Sequence, residues 1–242
     1  TLPLDLESID SVRAFAAAAR AAAPSGSIDV LLLNAGAQYV DTTVSTVDGF
    51  ERTFAVNHLA HAVLLEELLP TIADGGRVII TTSDTHDPDL FPFGPTRLDV
   101  AAWADAGTGM PTMDVYAASK LANLLTSMHL ADDADLRARG IRSLAFNPGL
   151  TGGTELQRTQ PEVRERIAAM RSGALPGMHV GDPEHAGEVL ASLALDRLEV
   201  PADRTYVSIE RGHVTFPEPS RLAHADGSAD VLWAETERLL HG

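Results

Sequence analysis

The sequence predicts an α/β protein in which helices flank a parallel sheet. Four short runs rich in β-branched and aliphatic residues alternate along the chain with longer segments of helical periodicity; these runs are residues 28–33, 77–82, 141–146 and 205–209. Their length and their largely apolar character are typical of strands that are buried on both faces. Strands separated by helices pair in parallel through right-handed crossovers, which places the chain in the α/β class.

Capping residues and apolar periodicity predict the helices between these runs. Ser8 can cap a helix that carries Val12 and Phe15 on one face. Gly140 is a natural C-cap for a long helix, and Pro183 suits the first turn of a later one. The predicted helices cover residues 8–23, 47–69, 115–139, 182–195 and 228–240.

The composition restricts the possible classes of function. The chain has 242 residues, no cysteine, and 34 acidic against 18 basic residues, which gives a formal net charge of −16. Disulfides, thiolate zinc sites and cysteine nucleophiles are therefore excluded. The acidic charge disfavours nucleic acid and anionic membranes as partners.

No run reaches the ~18 apolar residues of a membrane span, and the first residues carry no signal-peptide pattern. We therefore expect a cytoplasmic protein with one domain over residues 1–242. His58 and His61 lie three residues apart without a matching carboxylate pattern, so we expect no metal site.

Small and polar residues follow the first three predicted strands. Asn34-Ala35-Gly36 follows the first strand, Ser83 the second and Asn147-Pro148-Gly149 the third. Ligands of open α/β sheets bind beyond the carboxyl ends of the strands. We therefore expect these three segments to border a ligand site.

Tyr116 and Lys120 form a candidate acid–base pair, because residues four apart on a helix lie on the same face. Lys120 is the only lysine among the 18 basic residues. A cation about 4 Å from a phenol contributes roughly 4 kcal/mol, enough to lower a pKa near ~10 by up to ~3 units. Ser83 could then hold a substrate oxygen beside the phenol, which suits proton exchange with a carbonyl or alcohol during hydride transfer.

Taken together, the motifs make the sequence resemble the short-chain dehydrogenase/reductase family, in the branch of retinol dehydrogenases and protochlorophyllide reductases. The segments that carry the resemblance are Asp5-Leu6, Leu33-Asn34-Ala35-Gly36, Asn57, Ser83, Tyr116-Ala117-Ala118-Ser119-Lys120 and Asn147-Pro148-Gly149. The resemblance implies a Rossmann-like, doubly wound parallel sheet and the cofactor NADP or NAD.

The resemblance also implies roles for individual residues. Tyr116 would exchange the proton, Lys120 would lower its pKa and bind the nicotinamide ribose, and Ser83 would orient the carbonyl. Asn57 would support a water molecule that leads the proton to solvent. The residues implied to line the cofactor are Asp5, Leu6, Asn34, Ala35, Gly36, Lys120, Pro148, Gly149 and Thr151.

One part of the family pattern has no counterpart in this sequence. Family members begin with a strand and a glycine-rich turn that holds the pyrophosphate, whereas residues 1–6 resemble the end of the third strand. We therefore expect an N-terminally truncated sheet, with the first two strands missing and Ile28–Leu33 as an apolar edge. Either the natural protein is longer, or another chain covers this edge.

Three explanations are open at this point. The sequence could be a fragment of an ordinary enzyme; it could be an inactive interaction or regulatory protein; or it could keep Tyr116, Lys120 and Ser83 for cofactor-free dehydration, cyclisation or epimerisation. The reading we adopt is an NAD(P)-dependent oxidoreductase that interconverts a carbonyl and an alcohol. Its substrate is expected to be a mid-sized, largely apolar small molecule under a lid over residues 151–180, and the protein is expected to be a homo-oligomer.

Overall fold

The computed structural model describes residues 1–23, 26–152, 156, 161–172 and 179–242. Its strands are β1 (Ile28–Leu33), β2 (Ile72–Thr81), β3 (Arg142–Asn147), β4 (Tyr206–Glu210) and β5 (His213–Thr215). Its α-helices are α1 (Ile9–Ala22), α2 (Arg52–Phe54), α3 (Ala60–Leu68), α4 (Val100–Ala104), α5 (Thr112–Asp132), α6 (Ala134–Ala138), α7 (Pro161–Arg171), α8 (Pro183–Ala194) and α9 (Ser228–His241). A π-helical turn, Ala55–Leu59, joins α2 to α3.

The strands of the described residues form one sheet in the order β1-β2-β3-β4-β5. The first four strands are parallel, and a single row of paired residues, Leu33, Ile80, Ala145 and Tyr206, crosses all of them. The predicted α/β class with a predominantly parallel sheet is confirmed. Because the parallel strands share one direction, their carboxyl ends meet at one edge of the sheet.

Strand β5 is antiparallel, which the sequence analysis did not predict. A two-residue turn, Arg211-Gly212, joins β4 to β5, and both residues have positive φ values, 52° and 84°. This conformation is typical of a type I′ hairpin, in which arginine is an unusual first residue. The turn therefore carries little of the usual sequence signal.

Helices pack against both faces of the sheet. Alternate residues of β2 point to opposite sides: Val78 and Ile80 lie in the core with α1 and α3, whereas Ile79 lies in the core with α8. In β3, Ala145 packs against α5 on the first face. This arrangement matches a doubly wound sheet, and it leaves α5, the helix of Tyr116 and Lys120, buried along most of its length.

Several predicted boundaries differ from the structure. Strand β2 begins at Ile72, five residues before the predicted start, and runs through Gly75 and Gly76. The predicted helix over residues 115–139 is two helices, because Asp133 leaves the helical conformation and accepts a hydrogen bond from the Leu136 amide at 2.8 Å. The predicted helix over residues 47–69 begins only at residue 52.

Strand β1 lies at the edge of the sheet and pairs only with β2 among the described strands. Leu32 on this strand is 43% exposed, although Leu33 is buried against α3. Residues 1–6 form no strand in the described structure. The predicted apolar edge at Ile28–Leu33 is therefore present, and its cover by another chain stays a prediction.

Candidate active site

A cavity of about 1180 Å³ lies at the carboxyl ends of β1 to β4. Residues predicted for the site from four separate segments share its wall; they are Asn34, Ala35, Gly36, Ser83, Tyr116, Lys120, Pro148, Gly149 and Thr151. The sheet topology explains this convergence, because each segment follows a parallel strand or lies on the helix packed beside it.

Helix α5 places Tyr116 and Lys120 one turn apart on the side that faces the cavity. Both residues are almost fully buried, with exposed fractions of 8% and 3%. The Lys120 ammonium lies 5.5 Å from the centroid of the Tyr116 ring. At its own backbone, Lys120 accepts a hydrogen bond at 2.6 Å from the Thr82 hydroxyl, which ties α5 to the end of β2.

Ser83 follows β2 in an extended conformation and precedes a 3-10 turn over Asp84–His86. Its hydroxyl accepts a hydrogen bond from the Thr85 amide at 3.3 Å and donates one to the Asp84 carboxylate at 3.2 Å. Ser83 and Tyr116 line the same cavity. The structure therefore places the predicted Ser83 and Tyr116 side chains at one site.

The electrostatics of Tyr116 differ from the expectation drawn from the sequence. Burial raises the pKa of the phenol well above its ordinary value, the negative charge of Asp84 raises it further, and the neighbouring Ser83 side chain lowers it by a smaller amount. The expected reduction by Lys120 was wrong for this state of the protein, because the ammonium is 5.5 Å from the ring centroid and desolvation dominates. Tyr116 is consequently a neutral phenol, suited to donate a proton.

Lys120 is also affected by burial, in the opposite direction. Desolvation disfavours the charged amine and lowers the pKa of Lys120 to about 8. The amine donates a hydrogen bond to the Thr81 carbonyl at 3.3 Å, and the Asn123 side-chain amide donates to the same carbonyl at 3.0 Å. Lys120 thus retains donors that can reach a ligand in the cavity.

Asn57 lies behind the cavity wall, in the π-helical turn, and is completely buried. Its side chain accepts from the Ala37 amide at 2.8 Å and donates to the Ala37 carbonyl and the Ser119 hydroxyl, each at 3.0 Å. These bonds fix the segment after β1 against α5. The proton-relay role implied by the resemblance remains a prediction.

His58 and His61 occupy the same helical segment and are buried, with exposed fractions of 1% and 3%. Burial lowers the pKa of His58 to about 4 and that of His61 to about 3, so both are neutral at physiological pH. In the part of the chain that the structure describes, no three His, Asp or Glu side chains are placed to share a metal ion.

The backbone at Gly36 approaches two functional side chains closely. A Cβ atom added there would lie 3.3 Å from Asn57 Oδ1 and 3.5 Å from Lys120 Nζ. Gly149, on the opposite wall, has a φ of +70° and lies against the Ile209 carbonyl, 2.7 Å from an added Cβ. A side chain would crowd Asn57 and Lys120 at Gly36 and would meet the backbone at Gly149, so glycine suits both positions.

Asp5 and Leu6 line a second cavity of about 340 Å³. Ala35 and Gly36 separate it from the large cavity, because both residues line both spaces. Asp5 is exposed, and its carboxylate accepts a hydrogen bond from the Glu7 amide at 3.0 Å. The structure thus places the two implied adenine contacts in a cavity adjoining the one that holds Lys120.

The large cavity also contains apolar residues to which the sequence analysis gave no individual role. Its apolar wall includes a stacked pair, Phe91 and Phe93, whose ring centroids are 5.4 Å apart. Further apolar groups come from the predicted lid, where Leu156, Ile167 and Met170 line the cavity. Residues 153–155, 157–160 and 173–178 of the predicted lid lie outside the described residues.

Asp84, directly after Ser83 in the sequence, received no role in the sequence analysis. Its carboxylate lines the cavity beside Ser83 and Tyr116, where burial raises its pKa. Sequence alone offers no signal for this, because the burial of a carboxylate depends on the helices packed around it.

No helix in the described part of the chain is long and apolar enough to cross a membrane.

Comparisons with known proteins agree with this geometry. The family model described as short chain dehydrogenase matches residues 1–89. The chain is 29% identical to human retinol dehydrogenase 13 over 239 residues, covering 98% of this chain and 67% of that protein. It is 33% identical to the human WW domain-containing oxidoreductase over 241 residues, covering 99% of this chain and 55% of that protein.

Other relatives are matched over a smaller part of their length. The chain is 34% identical to the bovine dehydrogenase/reductase SDR family member 13 over 152 residues, which are 61% of this chain and 36% of that protein. The chain therefore spans little more than a third of the length of some relatives that it matches.

Solved structures show the same fold. An uncharacterized protein from Mycobacterium paratuberculosis superposes with a TM-score of 0.65 at 28% identity, covering 98% of this chain and 73% of that one. A metagenomic blue fluorescent protein in complex with NADPH superposes with a TM-score of 0.58 at 27% identity, covering 86% of this chain and 73% of that one. In its motifs and its fold the chain is therefore similar to the short-chain dehydrogenases/reductases, among them a retinol dehydrogenase.

Proposed function

We propose that this chain forms the catalytic part of an NAD(P)-dependent oxidoreductase that interconverts a carbonyl and an alcohol. The observation that carries the proposal is the convergence of Tyr116, Ser83 and Lys120 on one cavity at the carboxyl ends of the strands. A phenol, a hydroxyl and an amine in this arrangement can bind an oxygen atom and exchange a proton with it.

Tyr116 is the proposed proton donor in the direction of carbonyl reduction. Burial and the charge of Asp84 keep the phenol protonated, so it can give its proton to the substrate oxygen as negative charge develops there. Ser83 would hold the same oxygen. This step leaves a phenolate on Tyr116, and in alcohol oxidation the phenolate would take the proton from the alcohol.

Lys120 is the proposed anchor for the cofactor next to this oxygen site. Small residues in the wall, Asn34, Ala35, Gly36, Pro148 and Gly149, give a flat ligand access to the backbone near the lysine amine. These residues fit the nicotinamide riboside end of NAD or NADP, while Asp5 and Leu6 border a cavity that suits an adenine. A bound nicotinamide would supply the hydride that the carbonyl carbon receives.

The substrate is proposed to be a mid-sized, largely apolar carbonyl or alcohol. The stacked Phe91 and Phe93 and the lid residues Ile167 and Met170 offer it an apolar wall. We also propose that residues 151–180 act as a substrate lid, that the protein is cytoplasmic, and that copies of the chain associate in a homo-oligomer that covers Ile28–Leu33.

The proposal is tested by following NADPH and NADH oxidation at 340 nm with three carbonyl probes: 4-nitrobenzaldehyde, decanal and all-trans-retinal. The wild-type chain should turn over at least one probe, and Tyr116→Phe should lose about 10²-fold or more of that rate, as expected for loss of a general acid. Tyr206→Phe is the matched control, because Tyr206 is a buried phenol that does not line the cavity.

Two results would count against the proposal. If no probe is reduced with either cofactor, the chain by itself does not catalyse the reduction of these carbonyls. If the Tyr116 and Tyr206 variants lose activity equally, the phenol of Tyr116 has no special part in proton transfer.

A further inference from the structure

The carboxylate of Asp84 occupies an unusual position for a charged group. It lies directly after Ser83 at the end of β2, is partly buried, and faces the same cavity as Tyr116. The structure gives it a hydrogen bond from the Ser83 hydroxyl at 3.2 Å. An acidic side chain thus contacts the residue that is proposed to hold the substrate oxygen.

The hydrogen-bonding capacity of Ser83 makes this contact consequential. A serine hydroxyl has one hydrogen to donate and two lone pairs to accept with. One lone pair takes the Thr85 amide at 3.3 Å, and the single hydrogen points to Asp84. While Asp84 is ionised, Ser83 therefore cannot donate to a substrate carbonyl without giving up its bond to the carboxylate.

The surroundings of Asp84 raise its pKa. Electrostatic interactions link the carboxylate to His86 of its own turn, to Tyr206 and Glu210 of β4, and to Tyr116 of α5. Among the described groups that act on it, only His86 can carry a positive charge, and burial lowers the pKa of His86. Burial raises the pKa of Asp84, the Ser83 hydroxyl and His86 lower it by less, and Glu210 adds a small upward contribution.

We propose that Asp84 is a positioning residue that sets the hydrogen-bonding state of Ser83. The ionised carboxylate takes the Ser83 hydrogen and leaves that hydroxyl as an acceptor, which suits a bound alcohol. The protonated carboxyl donates to Ser83 instead, and the Ser83 hydrogen becomes free for a substrate carbonyl. This inference rests on the proposed function.

The proposal predicts a particular pH dependence of carbonyl reduction. The rate should fall as pH rises through the pKa of Asp84, because the carbonyl then keeps only Tyr116 as a donor. Asp84→Asn should remove this fall and raise kcat/KM above that pKa by about tenfold, since its amide can donate to Ser83 at every pH. Asp89→Asn is the control, because Asp89 lies in the same loop, pairs with Arg221 and does not line the cavity.

The test combines two variants in a cycle, with the fastest of the three carbonyl probes named above, from pH 4.5 to 9. If Asp84 acts through Ser83, Asp84→Asn should have no effect on the rate when Ser83→Ala is already present. An equal gain in the Ser83→Ala background would overturn the proposal, because Asp84 would then act by its charge on Tyr116. Asp84→Ala serves as a second variant if circular dichroism shows that Asp84→Asn is misfolded.

The variant Glu210→Gln distinguishes a general effect of negative charge in the cavity from the specific effect of the Ser83–Asp84 hydrogen bond. This variant removes another carboxylate that lines the cavity, and no bond joins Glu210 to Ser83 in the described hydrogen bonds. The pH-dependent fall should survive in Glu210→Gln. Its disappearance there would contradict the proposed role of the Ser83–Asp84 bond.

A readout that needs no turnover separates this proposal from the proposed function. Carbon-13 NMR of the Asp84 carboxyl gives its pKa directly, and Ser83→Ala should raise that pKa, because the hydroxyl stabilises the ionised form. An unchanged pKa would refute the bond whether or not the enzyme turns over. A wild-type chain that titrates as predicted but reduces no probe would instead overturn the proposed function, and the reductive role of Asp84 with it.

Discussion

Replacement of Lys120 by methionine is expected to make the ligand-free protein more stable and at the same time inactive. Lys120 is 3% exposed, and its amine has a pKa of about 8 against an ordinary value of 10.5. Keeping the amine charged in this site below pH 8 therefore destabilises the fold. Methionine has a similar length and carries no charge to desolvate.

The magnitude follows from the shift in pKa. A difference of about two and a half pKa units corresponds to about 3 kcal/mol at pH 7. The variant loses the hydrogen bond from Lys120 to the Thr81 carbonyl, worth about 1 kcal/mol, although Asn123 still donates to that carbonyl. The net gain is about 2 kcal/mol, or a rise in Tm of roughly 4–8 °C for a chain of this size.

The pH dependence of this gain identifies its cause. Between pH 8 and 10.5 the unfolded chain binds a proton at Lys120 that the folded chain has released, so the wild type gains stability as pH rises through this window. The advantage of Lys120→Met should be complete below pH 8 and absent near pH 10.5. Urea unfolding at pH 7 and pH 10 measures it, with the exposed Arg137→Met as a control for loss of a cation.

The reasoning is refuted if Lys120→Met unfolds at a lower urea concentration than the wild type at pH 7. It is also refuted if the gain in stability is the same at both pH values. Either result would mean that the amine is not held in a desolvated site.

Three further predictions concern the walls of the site. Gly149→Ala should lower the free energy of unfolding by more than 1 kcal/mol in urea titration, since the added methyl would meet the Ile209 carbonyl. Gly49→Ala is the control, because Gly49 also has a positive φ but has open space around it; this variant should cost only about 1 kcal/mol. Asn57→Ala should cost about 2 kcal/mol in urea unfolding, because the partly buried Ala37 amide and carbonyl lose their partner; a cost near zero would contradict this role. Phe91→Ala should raise KM for an apolar carbonyl more than it lowers kcat, and steady-state kinetics that show the reverse would remove Phe91 from the substrate wall.

Much of the fold could be predicted because local patterns and tertiary structure agree. The strand at residues 28–33 and the helix at Ser8 were found at their observed positions, since apolar periodicity and capping both point to them. The start of β2 was missed because Gly75-Gly76 has the chemistry of a turn; the strand continues through an irregularity there, and Ile72 before it pairs with Ile28 of β1. Tertiary pairing there overrides local propensity.

For the site, too, the sequence predicted some features and missed others. The order of small residues after the strands predicted which segments would meet, because parallel strands bring their carboxyl ends together. The pKa of Tyr116 could not be predicted, since spacing along a helix shows that Lys120 is near but does not show that both groups are desolvated. For the same reason the contact between Asp84 and Ser83 was visible only in three dimensions.

The most direct test of the account is a fluorescence titration of the chain with NADPH, comparing the wild type with Lys120→Met. The account predicts saturable binding in the micromolar range for the wild type, weakened about tenfold or more in the variant, because Lys120 supplies hydrogen-bond donors in the cavity. Binding that is absent at millimolar NADPH, or that is equally tight in both proteins, would contradict the claim that this cavity holds a nicotinamide cofactor.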